Sequence, residues 1–326
     1  MSRPQVVALA WVIVVLGLVA VHFIAPQRSG VLALTQVLEP YIVLTGLISA
    51  ALLIRAPDRA RAVAIVLVLV TAGRYGPTWI SFPVNQGGDT LTVATWNMEA
   101  GPDADTRALE GFGDIQADLV AIQELQPAAA DALLANPTLA SQLPYSVMKP
   151  DSSVLGVGLM SRFPILDERS STDPPYLRAM VDAPSGPHMA VYVVHPLPAR
   201  FVTVAGVPVA LDTTRRDAAI TEIRSGIDTD LATGLQVLIL GDINTTQREP
   251  AYTDLSTGFR DAHLDVGVGP GNTWLPGALE GLPFGLLRID YVFADPNFVF
   301  ESTYTDCSLP SDHCLLQATL RRGSEL

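Results

Sequence analysis

Apolar positions are arranged in two different ways along this chain, and the change falls near residue 83. Before it, three long runs dominate, at 5–25, 31–54 and 62–82. The first carries no charge when His22 is neutral, and at ~1.5 Å per residue it reaches across ~30 Å of hydrocarbon. The second is broken only by Gln36, Glu39 and Pro40, and the third, weaker one by Arg74. The pattern predicts a membrane region over 1–82 with about three transmembrane helices. A cleavable leader would explain the first run alone; two further runs and the lack of a clear small-residue cleavage site argue against it. After a flexible linker at 83–89, the apolar runs shorten to strand length, at 91–96, 118–122, 176–181, 189–194, 234–240, 298–305 and 315–320. Between the first two of these, Ala108, Leu109, Phe112 and Ile115 recur at helical spacing, which makes 103–116 a helix. Helices and strands alternate early and strands dominate late. About 240 residues are enough for one large domain over 90–326.

Composition changes the picture in two respects. The chain is 49% hydrophobic and only 16% charged, and the excess sits in front of residue 83. There, Arg3 and the group Arg55, Arg59 and Arg61 flank the runs on one side, against Arg28 alone on the other. The positive-inside tendency then puts the N-terminus and the second loop in the cytoplasm and everything after residue 83 outside it. Glu39 and Arg74 fall at equal depth in adjacent runs, so they either pair or reach separately to the interface. The formal net charge is −13, and of the 33 acidic residues only Glu39 and Asp58 precede residue 83. So acidic a domain gains little from counterion release on duplex nucleic acid, which disfavours a nucleic-acid partner.

Chemistry-bearing residues cluster where apolar runs end. Asn97 follows 91–96, Glu124 follows 118–122, and His195 ends 189–194. Asp242 and Asn244 lie just past 234–240, two residues apart, and in an extended segment they point to the same side. Asp290 is framed by Leu286-Leu287 and Tyr291-Val-Phe293, while Asp312-His313 opens the last run. Each residue alone has a plain structural explanation: a turn asparagine, a helix-starting glutamate, Asx-turn residues, a hydrogen-bonded core histidine. Together they form a set of oxygen and imidazole donors that suits Mg²⁺, Mn²⁺ or Ca²⁺ better than Zn²⁺.

The order Trp-Asn, Ile-Gln-Glu, a strand ending in His, Gly-Asp-x-Asn, Arg-Ile-Asp-Tyr and Ser-Asp-His resembles the endonuclease/exonuclease/phosphatase superfamily. The likeness runs over roughly residues 90 to 321 and includes the Ser-Arg-x-Pro turn at 161–164. Two features depart from the commoner pattern. Ile243 replaces an aromatic inside Gly-Asp-x-Asn, and Pro-Leu-Pro follows His195, as in membrane-tethered bacterial members. With the strand pattern, the resemblance implies an α/β fold: a four-layer sandwich of two packed mixed β-sheets flanked by helices.

The resemblance also implies roles. Glu124, Asn97 and Asp312 would hold Mg²⁺ or Mn²⁺, and Asp242 would orient or deprotonate the attacking water. Asn244 would hold a non-bridging oxygen, and His313, its tautomer fixed by Asp290, would contact phosphate or move a proton. His195 would stand on the other side of the phosphorus. Arg178 matches a position that can reach phosphate, with a solvated strand-edge arginine as the alternative. Asn272, in the loop before Arg-Ile-Asp-Tyr, falls on the rim. The expected activity is hydrolysis of phosphodiester, phosphomonoester or lipid-pyrophosphate bonds at the outer face of a membrane, with a lipid-linked substrate and the bilayer as partners. An extracellular nuclease, or an inactive binding module on the same fold, are the alternatives. Cys307 and Cys314 bracket Ser-Asp-His and form either a disulfide across a hairpin mouth or two half-buried thiols.

Overall fold

Two six-stranded sheets face each other across the apolar centre of the domain. A computed structural model of the chain describes residues 1–81, 89–112, 115–184, 186–279 and 282–322; of the linker expected at 83–89, all but Asp89 lies outside them. The first sheet is built from β1 (Leu91–Asn97), β2 (Leu119–Gln123), β3 (Tyr145–Lys149), β4 (Val157–Ser161), β13 (Phe298–Asp306) and β14 (Leu315–Arg322). The second holds β5 (Ile165–Thr172), β6 (Pro175–Val181), β7 (Met189–Val194), β10 (Gln236–Asp242), β11 (Arg260–Asp261) and β12 (Asp290–Ala294). A separate ribbon pairs β8 (Arg200–Val204) with β9 (Val207–Asp212). Both sheets are mixed: β1 runs parallel to β2 and β7 to β10, while their other neighbours are antiparallel.

Period-2 side-chain geometry explains why the strands are apolar on both faces. In β1, Val93 faces the opposing sheet while Ala94 and Trp96 face helices; in β10, Leu238 and Leu240 face inward and Val237 and Ile239 outward. Helices α5 (Ala104–Phe112), α6 (Pro127–Ala135) and α7 (Pro137–Gln142) cover the first sheet through Phe112, Leu133 and Leu139. Helices α8 (Thr214–Ala232) and α9 (Pro250–Ser256) cover the second through Ile220, Ile223 and Leu255. A short α10 (Ala262–Val266) follows β11. The result is the expected four-layer α/β sandwich.

Four helices precede it: α1 (Arg3–Ile24), α2 (Val31–Val37), α3 (Glu39–Ala51) and α4 (Asp58–Trp79). The 22-residue α1 and α4 are each long and apolar enough to cross a membrane. The run at 31–54, expected as one helix, is instead two helices meeting at 73°. Pro40 explains the break, since its ring clashes with the carbonyl four residues back, at Gln36, and it has no N–H to bond there. Beside the break, buried Glu39 lies 2.7 Å from His22 Nδ1, accepts a 2.9 Å bond from Tyr75 O–H, and pairs with Arg74. Glu39 and Arg74 therefore pair rather than reach out separately.

Bundle and domain touch at several points. Arg28 pairs with Asp254 at 2.6 Å, Gly30 and Leu211 exchange backbone bonds, and Gln36 Nε2 donates to Arg248 O at 2.8 Å. Tyr41 O–H donates to Leu286 O, and Gly269 N–H to Trp79 O at 2.8 Å.

Candidate active site

Strand direction brings the site together. β1, β2, β7 and β10 all end at the same edge, and β12 and β14, running antiparallel to β10 and β1, begin there. Asp242 and Asp290 are direct cross-strand partners. Gly241 permits the close pairing with β7, because a Cβ there would lie 2.0 Å from Val194 O. Glu124 and Asn244, just past their strands, take positive φ values of 54° and 50°. Such backbone costs roughly 1–3 kcal/mol in a non-glycine residue and collects at functional sites.

All eight residues singled out at strand ends meet in one network. Asn97 Nδ2 donates to Glu124 Oε1 and to Asp242 Oδ2, both at 3.1 Å. Glu124 Oε2 accepts the Ala100 N–H at 2.8 Å. His195 Nε2 lies 3.6 Å from Asp242 and 3.8 Å from Glu124. Asn244 Nδ2 donates to Asp242 Oδ2 at 3.2 Å and to Pro196 O at 3.1 Å. His313 Nδ1 is 2.9 Å from Asp290, while its Nε2 faces Asp242 at 3.7 Å and Asp312 at 3.9 Å.

Burial and charge then compete. Burial alone would push the His313 imidazole down, but the charges of Asp290 and Asp242 outweigh it and raise its pKa to about 10. His195 is likewise buried and likewise raised, by the Asp242 carboxylate beside it and by the charge of Glu124. Burial opposes ionisation of Asp242, yet the two imidazoles and the Asn244 N–H hold it below the ordinary carboxyl range. Asp312 goes the other way: burial, then the charges of Glu99 and Glu124, lift it to about 6. Five carboxylates thus face two imidazoles; Glu99 is paired with Arg107 at 3.3 Å, and Glu124 and Asp312 are left under-neutralised. That surplus, with the free lone pairs of Glu124, Asn97 and Asp312, fits a divalent cation. Asp242, Asp290 and His313 also present ligand atoms within 4.8 Å of one another and could hold a metal. The short His313–Asp290 bond, with Asp242 facing the other ring nitrogen, makes them the better proton-handling set.

Two expected residues lie elsewhere. Arg178 projects from β6 toward the end of α8, where Asp230 takes two of its nitrogens at 2.9 and 3.1 Å and Asp167 a third at 3.0 Å. Its charge is spent on that buried cluster, so it does not reach the site. Asn272 Nδ2 donates to Gly285 O at 3.2 Å, outside the network. The next two residues enter instead: Thr273 O–H donates to Asp290 Oδ2 at 2.6 Å and Trp274 Nε1 to Asp312 Oδ2 at 2.9 Å. Ser311 also acts here, accepting the His313 N–H and donating to Asn97 O.

A four-layer α/β sandwich with a carboxylate–imidazole cluster at the shared edge of its sheets is an architecture of enzymes that act on phosphate esters. Residues 94–313 match the endonuclease/exonuclease/phosphatase family, and the chain belongs to it. An endonuclease/exonuclease/phosphatase from Bacteroides vulgatus is 18% identical with a TM-score of 0.53, over 72% of this chain and 100% of that one. A Neisseria 3′ phosphatase, solved with a product DNA hairpin, is 19% identical with a TM-score of 0.53, over 70% and 98%. A functionally unknown conserved protein of Enterococcus faecalis gives 18%, 0.53, 71% and 100%. At these identities the likeness is one of fold. No curated protein matches the sequence significantly.

Proposed function

We propose that this protein is a membrane-anchored phosphoesterase that needs a divalent metal and works outside the cytoplasm on phosphodiester, phosphomonoester or lipid-pyrophosphate bonds. The observation that carries this is the single network joining Asn97, Glu124, His195, Asp242, Asn244, Asp290, Asp312 and His313.

Glu124, Asn97 and Asp312 would hold Mg²⁺ or Mn²⁺, which when bound supplies positive charge beside the phosphate oxygens. Asp242, kept ionised between two imidazoles, orients the attacking water and accepts its proton. The protonated His313 offers Nε2–H toward the phosphate, with Nδ1 committed to Asp290. His195 Nε2, on the other flank of Asp242, donates to a second oxygen. Both amide hydrogens of Asn244 are engaged, so contact with a non-bridging oxygen replaces its bond to Pro196 or Asp242.

Membrane anchoring is supported by α1 and α4, and the outward orientation by the arginine asymmetry. The β8–β9 ribbon, exposed at Phe201, Val202, Val204 and Val207 and bridged at Leu211 to Gly30 beside α2, suits a domain resting on lipid. Lipid-linked phosphate esters are therefore favoured over nucleic acid, which the acidic composition disfavours. An extracellular nuclease is the second reading, favoured by the DNA-bound Neisseria enzyme of the same fold. The intact carboxylate set speaks against an inactive binding module.

The full-length protein in lipid nanodiscs, assayed with Mg²⁺ or Mn²⁺ against lipid phosphates, pyrophosphates, soluble phosphomonoesters and DNA, tests the activity. Turnover of a phosphate ester that EDTA abolishes is expected, and its absence across the panel would sink the proposal. On intact cells, an impermeant thiol reagent should label a cysteine at exposed Thr229 and spare one at Asp58; the reverse pattern would put the site in the cytoplasm.

A further inference from the structure

A cavity of about 340 Å³ lies where the helical bundle meets the domain, and none of the eight network residues lines it. Its bundle side is two helical faces. Tyr41, Leu44 and Leu47 of α3 stand three or four residues apart, and so do Thr71, Tyr75 and Trp79 of α4. From Tyr41 to Leu47 this wall runs roughly 9 Å at ~1.5 Å per residue. The domain side is formed by the segments around Arg248 and Leu286. The break between α2 and α3 leaves this gap, because α3 departs from α2 at 73° instead of continuing along it.

One end of the cavity is charged. Arg248 lies 3.7 Å from Glu39, and its guanidinium carbon sits 4.9 Å from the Tyr75 ring centroid. Glu39 is already neutralised by its closer pair with Arg74. Arg288, the other arginine at the wall, is tied to Gln247 and Asp261. Arg74 and Arg248 thus share the single Glu39 carboxylate, which leaves one surplus positive charge beside an apolar slot.

We propose that this cavity binds an anionic phospholipid of the surrounding bilayer, with one hydrocarbon chain between α3 and α4 and the phosphate at Arg248. The volume lies in the range of small-molecule sites. The slot opens between helices whose outward residues, among them Leu44 and Trp79, are exposed and apolar. An uncharged chain gains nothing from Arg248, and a soluble anion gains nothing from the slot; an anionic amphiphile uses both. The proposal rests on the placement of α3 and α4 in a bilayer, and on nothing about which bond the catalytic site cleaves.

Trp79 provides the probe. The full-length protein carrying Trp11→Phe, which removes the other bundle tryptophan, is reconstituted in phosphatidylcholine vesicles. These contain brominated-chain phosphatidylglycerol or, at the same mole fraction, brominated-chain phosphatidylcholine. Quenching of Trp79 should favour phosphatidylglycerol roughly two- to fivefold, the range an accessible ion pair supports. Arg248→Gln should abolish the preference and Arg248→Lys retain it. Thr71→Phe, which fills the slot, should reduce quenching by phosphatidylglycerol to the phosphatidylcholine level. Equal quenching by the two headgroups, or a preference that Arg248→Gln leaves intact, overturns the lipid site alone. No quenching by either lipid overturns the bilayer placement of α3 and α4 as well.

Discussion

Asp290 and His313 come from different sheets and meet in the interior at 2.9 Å. Asp290 opens β12 of the second sheet, and His313 stands just before β14 of the first. Their contact joins the two halves of the sandwich and leaves Nε2 facing Asp242 and Asp312, since Nδ1 is committed to the carboxylate. Asp290→Asn should lower kcat roughly 10²–10⁴-fold. Removing a carboxylate that raises His313 also lowers its pKa, so the alkaline limb of the pH–rate profile should move to lower pH. A profile that loses amplitude without moving would contradict the pairing.

Glu124 and Asp242 are separated by Asn97 alone, yet their substitutions should read out differently. Glu124→Gln should weaken Mg²⁺ or Mn²⁺ binding, measured by calorimetry, with activity recoverable at high metal. Asp242→Asn should leave metal binding near wild type and cost roughly 10²–10⁴-fold in turnover. Wild-type activity in both variants would refute the assignment.

Arg178 offers a contrast. Its bonds to Asp230 and Asp167 make it a structural cation, so Arg178→Gln should destabilise the fold by about 2–4 kcal/mol, discounted for the half-exposed Asp167. Below the unfolding midpoint, KM should stay within about twofold, because lost stability does not alter substrate contacts. A large rise in KM with unchanged stability would restore it to the phosphate site.

His263 makes stability depend on pH. Burial, then the charge of Arg288, holds its imidazole below the ordinary value, while Nε2 lies 2.9 Å from Gly269 O. The unfolded chain protonates near about 6.5, the folded chain only at lower pH. Its contribution is fully present above that ordinary value and declines as pH falls toward the folded one. Urea melts at pH 7.5 and 5.5 should differ less for His263→Gln than for the wild type.

Much of this was legible in the residues because strand-length apolar runs ending in polar groups constrain both path and chemistry. Asn97, Glu124, His195, Asp242 and His313 each stand one to a few residues beyond such a run, and parallel or antiparallel pairing brings those ends to one edge. Thr273 escaped notice, and Trp274 stood out only as a member of the rim loop with Asn272, because the course of that loop is set by the Leu286–Leu287 backbone and not by its own periodicity. Arg178 misled for a related reason: sequence places it on a strand but does not show Asp230, fifty-two residues on, waiting above it. The α2–α3 break had its signal in Pro40, outweighed by the apolar length of the run around it. The spacing of Cys307 and Cys314 left bridge and free thiols both open, and the structure holds the bridge.

The ties between bundle and domain, from Arg28–Asp254 through Gly30–Leu211 and Gln36–Arg248 to Trp79–Gly269, do not depend on the covalent path between them. Made as two chains, one ending at residue 81 and one starting at residue 89, the halves would still present these same partners to each other. The protein is in that sense two bodies held by side-chain and backbone contacts, which fix how the carboxylate–imidazole cluster is turned relative to the helical bundle.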